Sequence, residues 1–373
     1  MPLRVAIVGC GKIAEQHVEA VRRIRGASVV GVCDRERLMA QQLAERHGIQ
    51  HVADDVPALM AEARPDVVHV TTPPASHLSI ALRGLEAGCH VYVEKPFTLT
   101  ASEARHLIEE ARHRGLHITA GHNLQCTWES LAGRRLVREG FLGGPPVHIE
   151  SYYTYQLKDR NYAAALLGDR QHWVRQLPGQ LLHNIISHGI ARIAEFLESD
   201  DPLVVAHGHL SPLMRSIGET TIIDELRVHV SDRRNMTASF VFSSQVSPAV
   251  NGWRAYGPVN SLVVDNLHHT VIRLKQHGYK SYVNYFLQPL HLAAEYARNA
   301  RGNIARFVRA DFHDDSGLKN CIEAFYESIT GKGAPAVTHR EVILTALIMD
   351  RIFEQLSARE MTTAAPHADH VTA

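Results

Sequence analysis

The chain lacks an excess of charge of either sign: 39 Lys and Arg stand against 39 Asp and Glu in 373 residues. Without a basic surplus, electrostatic binding to nucleic acid or to an anionic membrane is not expected. Cysteine is scarce and unpatterned. Cys10, Cys33, Cys89, Cys126 and Cys321 form no C-x-x-C pair, and the odd count argues against a disulfide framework. No apolar run is long enough to span a bilayer, and no charged-then-apolar signal segment precedes the first strand-like run. These absences point to a cytosolic protein. No internal repeat or low-complexity tract is visible. The 45% hydrophobic content suits an ordinary globular protein, and the length allows two domains, each with a core. The 25 histidines make net charge turn positive below the imidazole pKa.

What the chain does have is a phosphate-binding start. The apolar run Val5-Ala6-Ile7-Val8 leads into Gly9-Cys10-Gly11-Lys12-Ile13-Ala14, a G-x-G-x-x-A sequence. A strand feeding such a loop and then a helix makes a site for a dinucleotide pyrophosphate. Gly9 permits the tight turn, Gly11 lets the backbone approach the phosphates, Ala14 keeps the helix close to the sheet, and the helix N-terminus offers free N–H groups. A second apolar run, Val29-Val30-Gly31-Val32-Cys33, ends at Asp34, where a ribose-binding carboxylate is expected. Asp34 would repel a 2′-phosphate, which favours NAD over NADP. Arg35 is suited to stack on adenine or to meet that phosphate.

Strand-like runs near 4–8, 28–33, 66–71, 90–94 and 117–120 alternate with helical patterns near 12–24, 36–47, 75–87 and 101–114. Such alternation predicts a doubly wound parallel sheet. After about residue 122 the pattern changes. A Tyr-rich strand near 147–155 and a helix near 181–198 precede alternating runs at 204–207, 226–230, 237–242, 261–264 and 270–274, which predict a largely antiparallel sheet. Helices return near 284–300, 316–330 and 339–357.

Glu94-Lys95-Pro96 follows the strand His90-Val91-Tyr92-Val93. Ligands of an open parallel sheet sit at the carboxyl ends of its strands, so Lys95 is delivered to the nicotinamide end of the cleft. Partial desolvation there lowers a lysine pKa and suits it to proton exchange with a hydroxyl. Pro96 stiffens the turn that aims it. Together with the glycine loop and His17, the segments Thr72-Pro73-Pro74-Ala75-Ser76-His77 and Ala87-Gly88-Cys89-His90-Val91-Tyr92-Val93-Glu94-Lys95-Pro96 resemble the Gfo/Idh/MocA family of oxidoreductases. The resemblance implies an α/β protein with a Rossmann domain over 1–122 and an α/β domain with a large, mainly antiparallel open sheet over 123–338. It further implies a C-terminal helix, 339–357, packed back on the first domain. The small, polar segment 358–373 is expected to be a disordered tail.

The family's second signature is a helical Asp followed four residues later by His. Here Asn184 stands at the Asp position and His188 at the His position. Spacing of four places both on one helix face. His188 would act as base on a hydroxyl or acid on a carbonyl, while Asn184 can orient a hydroxyl but cannot titrate. Lys95 and His188 then handle the proton between them. The resemblance also implies that Thr72, Pro73 and His77 border the cofactor cleft, that Glu94 orients its loop, and that Asn123 at the domain junction meets substrate. Tyr153, His172 and Trp173 lie on segments expected to line the cleft and suit sugar faces. His207-x-His209 lacks a third ligand, so no metal site is expected. The function implied is hydride transfer between NAD and a secondary alcohol of a sugar, cyclic polyol or nucleotide sugar, in a homodimer or homotetramer. The alternatives are a redox-neutral NAD-dependent glycosidase or lyase, and a non-catalytic nucleotide-sensing regulator.

Overall fold

The computed structural model describes residues 2–157, 168–169, 171–309 and 316–364. The first part alternates β1 (Leu3–Val8), α1 (Lys12–Arg22), β2 (Ala27–Cys33), α2 (Arg37–His47), β3 (His51–Ala53), α3 (Val56–Ala63), β4 (Val67–Val70), α4 (His77–Glu86), β5 (His90–Val93), α5 (Ala101–His113) and β6 (Ile118–Ala120). The six strands pair in the order β3-β2-β1-β4-β5-β6, all parallel. Val5, Ile7, Val67, Val68 and Val91 are fully buried, as expected for strands covered by helices on both faces. Strand order reverses between β1 and β4, and the crevice beyond their carboxyl ends is where such sheets take ligands.

The second part contains α6 (Trp128–Arg138), β7 (His148–Thr154), α7 (Gln180–Ile185), α8 (Ser187–Ala194), β8 (Leu203–His209), α9 (Pro212–Ser216), β9 (Glu225–Ser231), β10 (Thr237–Ser243), β11 (Asn251–Tyr256), β12 (Ser261–Asp265), β13 (Thr270–Leu274), α10 (Ser281–Val308), α11 (Ser316–Ile329) and α12 (His339–Ala364). Its seven strands run β13-β12-β11-β7-β10-β9-β8. Only β7 and β10 pair in parallel; the other pairs are antiparallel. One face turns Ile149, Val228, Phe240, Phe242 and Trp253 into a core shared with Ile190 and Ile193 of α8 and Ile348 and Ile352 of α12. The other face is open, with Leu203 and Val205 half exposed.

The structure corrects several expectations. The helix predicted over 181–198 is two short helices with a break at Ile186, between Asn184 and His188. Helix α11, assigned from sequence to the second domain, packs on the first sheet. Its stripe of Leu318, Cys321, Ile322 and Phe325 meets Val5, Val67 and Tyr92, an i, i+3, i+4, i+7 face matched to an apolar surface. Helix α12 runs to Ala364, past the predicted end at 357, and Asp350 within it accepts from the Ala101 amide at the start of α5 at 2.8 Å. Residues 365–373, part of the predicted tail, lie outside the described residues. Among the described residues, no helix is long and apolar enough to cross a membrane.

Candidate active site

The cofactor half of the site is built from backbone. Gly9 has φ +98°, and a Cβ there would lie 2.7 Å from Thr72, so only glycine lets the loop pass β4 this closely. The Thr71 hydroxyl donates to the Gly9 carbonyl at 2.6 Å and pins the turn. Gly11 is exposed, with open space where a Cβ would stand, and it caps α1 without a side-chain acceptor. The first N–H groups of α1 are therefore left for a ligand. The Asp34 carboxylate accepts from the Cys10 amide at 2.7 Å and the Glu36 amide at 2.9 Å, which fixes it against the glycine loop with lone pairs to spare. Cys10, Gly11, Lys12 and Met39 line an open cleft of about 410 Å³ beside this loop. A glycine that cannot be replaced, uncapped amides and an anchored carboxylate next to open space fit a dinucleotide.

The chemical half lies where β5 ends. The Lys95–Pro96 peptide is cis. Lys95 Nζ donates to the main-chain oxygen of Asn184 at 3.2 Å, joining the end of β5 to α7. Burial lowers the Lys95 pKa, and the Glu94 charge opposes that shift. His188 is buried and its Nδ1 has no partner. Its pKa is held well below 6.5, by burial first and then by the charges of Lys95, His122 and Arg192. The Tyr153 ring lies 5.5 Å from that of His188. His122, at the end of β6, is pushed down to about 4, chiefly by burial, and also has an unpartnered Nδ1. Lys95 can therefore give and take a proton near neutral pH more readily than a free lysine, beside an imidazole that is neutral at pH 7.

Behind Lys95 runs a buried polar chain. Glu94 accepts from the Lys95 amide at 3.2 Å and pairs with His17 Nε2 at 3.0 Å. His17 Nδ1 lies 2.8 Å from His69 Nδ1, and His69 Nε2 lies 2.9 Å from the Tyr326 hydroxyl. With both imidazoles neutral, hydrogen-bond satisfaction assigns a single direction. Tyr326 donates to His69, His69 to His17, and His17 to Glu94. Burial raises the Glu94 pKa, but the hydrogen bond from His17, followed by the charge and amide of Lys95, outweighs it and the net shift is downward, so the carboxylate stays ionised.

Other residues singled out from the sequence lie around the ends of β1, β2 and β4. Lys12 is exposed at the start of α1, and Ile13 and Ala14 follow it in the first turn. Arg35 is exposed just past β2, and the Thr72 hydroxyl accepts from Ser76 at 2.8 Å. Pro73 leads into the turn before α4. His77 does not border the cleft. It is fully buried and bridges the Thr72 and Pro96 carbonyls at 2.8 and 2.9 Å, tying the ends of β4 and β5 together. Asn123 begins a single turn after β6, with Oδ1 buried and unpartnered. Asn184 meets Lys95 through its main chain, not through the side chain that the sequence singles out. His172 and Trp173 stack on each other at 5.7 Å in the turn before α7. No contact of theirs with Lys95 or His188 is seen among the described residues. His207 and His209 neighbour each other on β8, and no group of three or more metal-ligating side chains gathers among the described residues.

The residue that sequence reasoning missed is Arg192, four positions after His188 and fully buried. Its guanidinium donates to the carbonyls of Tyr152 and Gly252 and to Asn251 and Asn266, at 2.7 to 3.3 Å, locking α8 to the sheet behind His188. An arginine one turn from the predicted His, inside an apolar run, is the signal that was available.

Residues 3–122 match the family model described as "Oxidoreductase family, NAD-binding Rossmann fold". They are a Gfo/Idh/MocA NAD-binding domain. One relative is the D-glucoside 3-dehydrogenase of Escherichia coli (strain K12), 37% identical over 38% of this chain and 41% of its own length. The scyllo-inositol 2-dehydrogenase (NAD(+)) of Bacillus subtilis (strain 168) is 23% identical over 85% of this chain and 92% of its own. The chain spans about two fifths of the length of the first curated relatives it matches. The Gfo/Idh/MocA domain and the second sheet together share their fold with the WlbA dehydrogenase from Bordetella pertussis, solved with NADH and UDP-GlcNAcA. The TM-score is 0.75 over 96% of both chains at 15% identity.

Proposed function

We propose that the protein is an NAD-dependent dehydrogenase acting on a secondary alcohol, or the matching ketone, of a sugar, cyclic polyol or nucleotide sugar. The observation that carries this is the Lys95–Asn184 contact, which brings an ammonium group from the cofactor-binding sheet to the helix pair that holds His188. The names of the sugar and inositol dehydrogenases among the relatives support the substrate class. Bound nicotinamide supplies the hydride acceptor or donor. Gly9, Gly11, Lys12, Ile13 and Ala14 would hold the pyrophosphate, Asp34 the adenosine ribose and Arg35 the adenine, with Thr72, Pro73 and Glu94 bordering the cleft.

Lys95 donates from Nζ to the substrate oxygen and stabilises the negative charge that develops there. His188, neutral through burial, accepts the hydroxyl proton at Nδ1 and returns it in the reverse direction. Asn184 orients the hydroxyl without titrating. Asn123, Tyr153, His172 and Trp173 are proposed to contact the rest of the substrate. The open outer face of the second sheet supports a homodimer or homotetramer, and five unpaired cysteines suit a reducing compartment such as the cytosol. The test is NADH and NADPH accumulation by the purified protein across free sugars, polyols and nucleotide sugars. NADH with one substrate class supports the dehydrogenase. The second reading, a redox-neutral reaction, is favoured by the uncharged Asn184. Substrate consumption without net NADH would establish it instead.

A further inference from the structure

Helix α10 is built inside out. At 100° per residue, Tyr282, Tyr285, Phe286, Leu290, Ile304 and Phe307 fall on one face, and each is 60% to 76% exposed. Glu295 and Asn299 lie away from it and Asn303 at its edge, and it is these polar side chains that meet the protein. β13 is the last strand of its sheet, so one row of its backbone groups has no partner strand. Asn299 fills that gap for Val271, accepting from its amide at 2.9 Å and donating to its carbonyl at 2.9 Å. Glu295 accepts from the Arg273 amide at 3.1 Å and from its guanidinium at 2.8 Å. Asn303 donates to the His268 carbonyl at 3.1 Å. Polar side chains thus seal the sheet edge, and the apolar face of the helix is left pointing away from it.

We infer that this face is the contact between two copies of the chain, formed by α10 against α10. The inference goes beyond the homo-oligomer reading above, because it names a surface other than the open face of the second sheet. Two observations select a second copy as the occupant. The exposed apolar side chains amount to roughly 1,000 Å², at 150–250 Å² per aromatic, above the ~800 Å² per partner of a standard interface. Their arrangement is self-complementary. Large residues cluster toward both ends of the helix, Ala293, Ala297 and Ala300 share the exposed face at its middle, and Tyr296 stands exposed at the edge of that face. Two antiparallel copies related by a two-fold axis can therefore bring their backbones together at the alanines while Phe286 and Leu290 of each copy meet Ile304 and Phe307 of the other.

The experiment is sedimentation velocity on the full chain at micromolar concentration, for wild type and for Phe286→Glu/Ile304→Glu, with circular dichroism to check that the variant folds. The expected result is a dimer or larger species in wild type and at least a halving of mass in the folded variant. Ala297→Cys, at the crossing point, should form an intermolecular disulfide under mild oxidation. A wild-type oligomer whose mass is unchanged in the double variant, with no cross-link at position 297, overturns the α10 contact and leaves an oligomer through the sheet face standing. A monomeric wild type overturns both. Flotation of that monomer with anionic vesicles would assign the face to a membrane surface instead.

Discussion

Lys95 and His188 have their pKa values moved in the same direction by the same cause. Burial disfavours the charged form of each, below 10.5 for the ammonium and well below 6.5 for the imidazole. A neutral His188 is needed to accept a proton, so the acid limb of kcat/KM should fall below pH 6.5, and the limb from Lys95 should fall below pH 10.5. A pH–rate profile checks this, and His188→Gln should remove the acid limb while slowing the reaction by about 10² to 10⁴. An acid limb at or above pH 6.5 would contradict the assignment. Asp34 carries a second expectation. Asp34→Ala removes the repulsion of a 2′-phosphate, so the NAD over NADP preference in kcat/KM should drop by about tenfold. Unchanged selectivity would mean that Asp34 only braces the loop. At this scale the sequence was most legible where chemistry sits in short motifs: the glycine loop, Asp34 and Glu94-Lys95-Pro96. It was silent on the His17–His69–Tyr326 chain, whose members come from α1, β4 and α11 and meet only in the folded core.

The helix pair α7 and α8 shows what periodicity conceals. Spacing of four suggested one continuous helix with Asn184 and His188 on one face, but the break at Ile186 gives each residue its own helix and aims the Asn184 carbonyl at Lys95. Tight packing then sets the position of α8. A Cβ on Gly189, next to His188, would overlap the Phe240 ring of β10. Gly189→Ala should therefore push α8 off the sheet, costing about 1–3 kcal/mol of stability and lowering kcat more than NAD affinity. Urea unfolding and steady-state kinetics check this, and a variant with wild-type kcat would contradict it. Strands β3 and β11 and helices α3 and α6 also escaped the sequence reading. β3 has only three residues. β11 contains Gly252, where β12 passes too close for any Cβ, so its alternation is interrupted where packing is tightest. The helix predicted near 284–300 was legible, but which of its faces turns inward was not. Pattern rules assume that an apolar face is buried within its own chain.

Across the whole molecule, buried neutral histidines tie stability to pH. His122 and His183 are pushed down to about 4, and His69 and His188 lie well below 6.5, all chiefly by burial. In the unfolded chain each returns to about 6.5, so the unfolded state binds more protons once pH falls below that value. The stability they contribute is fully present above pH 6.5 and is lost progressively as pH falls toward 4, about 3 kcal/mol at pH 4 for each of His122 and His183. Urea unfolding between pH 7.5 and 4.5 should show a steep decline over that window. A flat profile would mean that the histidines charge without cost. The two-sheet architecture was largely legible, because strand and helix periods alternate cleanly over the first 120 residues. The packing of α11 on the first sheet was not, since a helix after the second sheet carries no mark of which core it joins.

The chemistry proposed for the interdomain cleft is tested most directly by Lys95→Ala, compared with wild type for NADH formation on the responsive substrate and for NAD binding by fluorescence titration. The expected result is a fall in NADH formation of about 10² to 10⁴ with the NAD dissociation constant little changed. NADH formation at the wild-type rate in a variant that still binds NAD would contradict the role given to Lys95 and the reaction built on it.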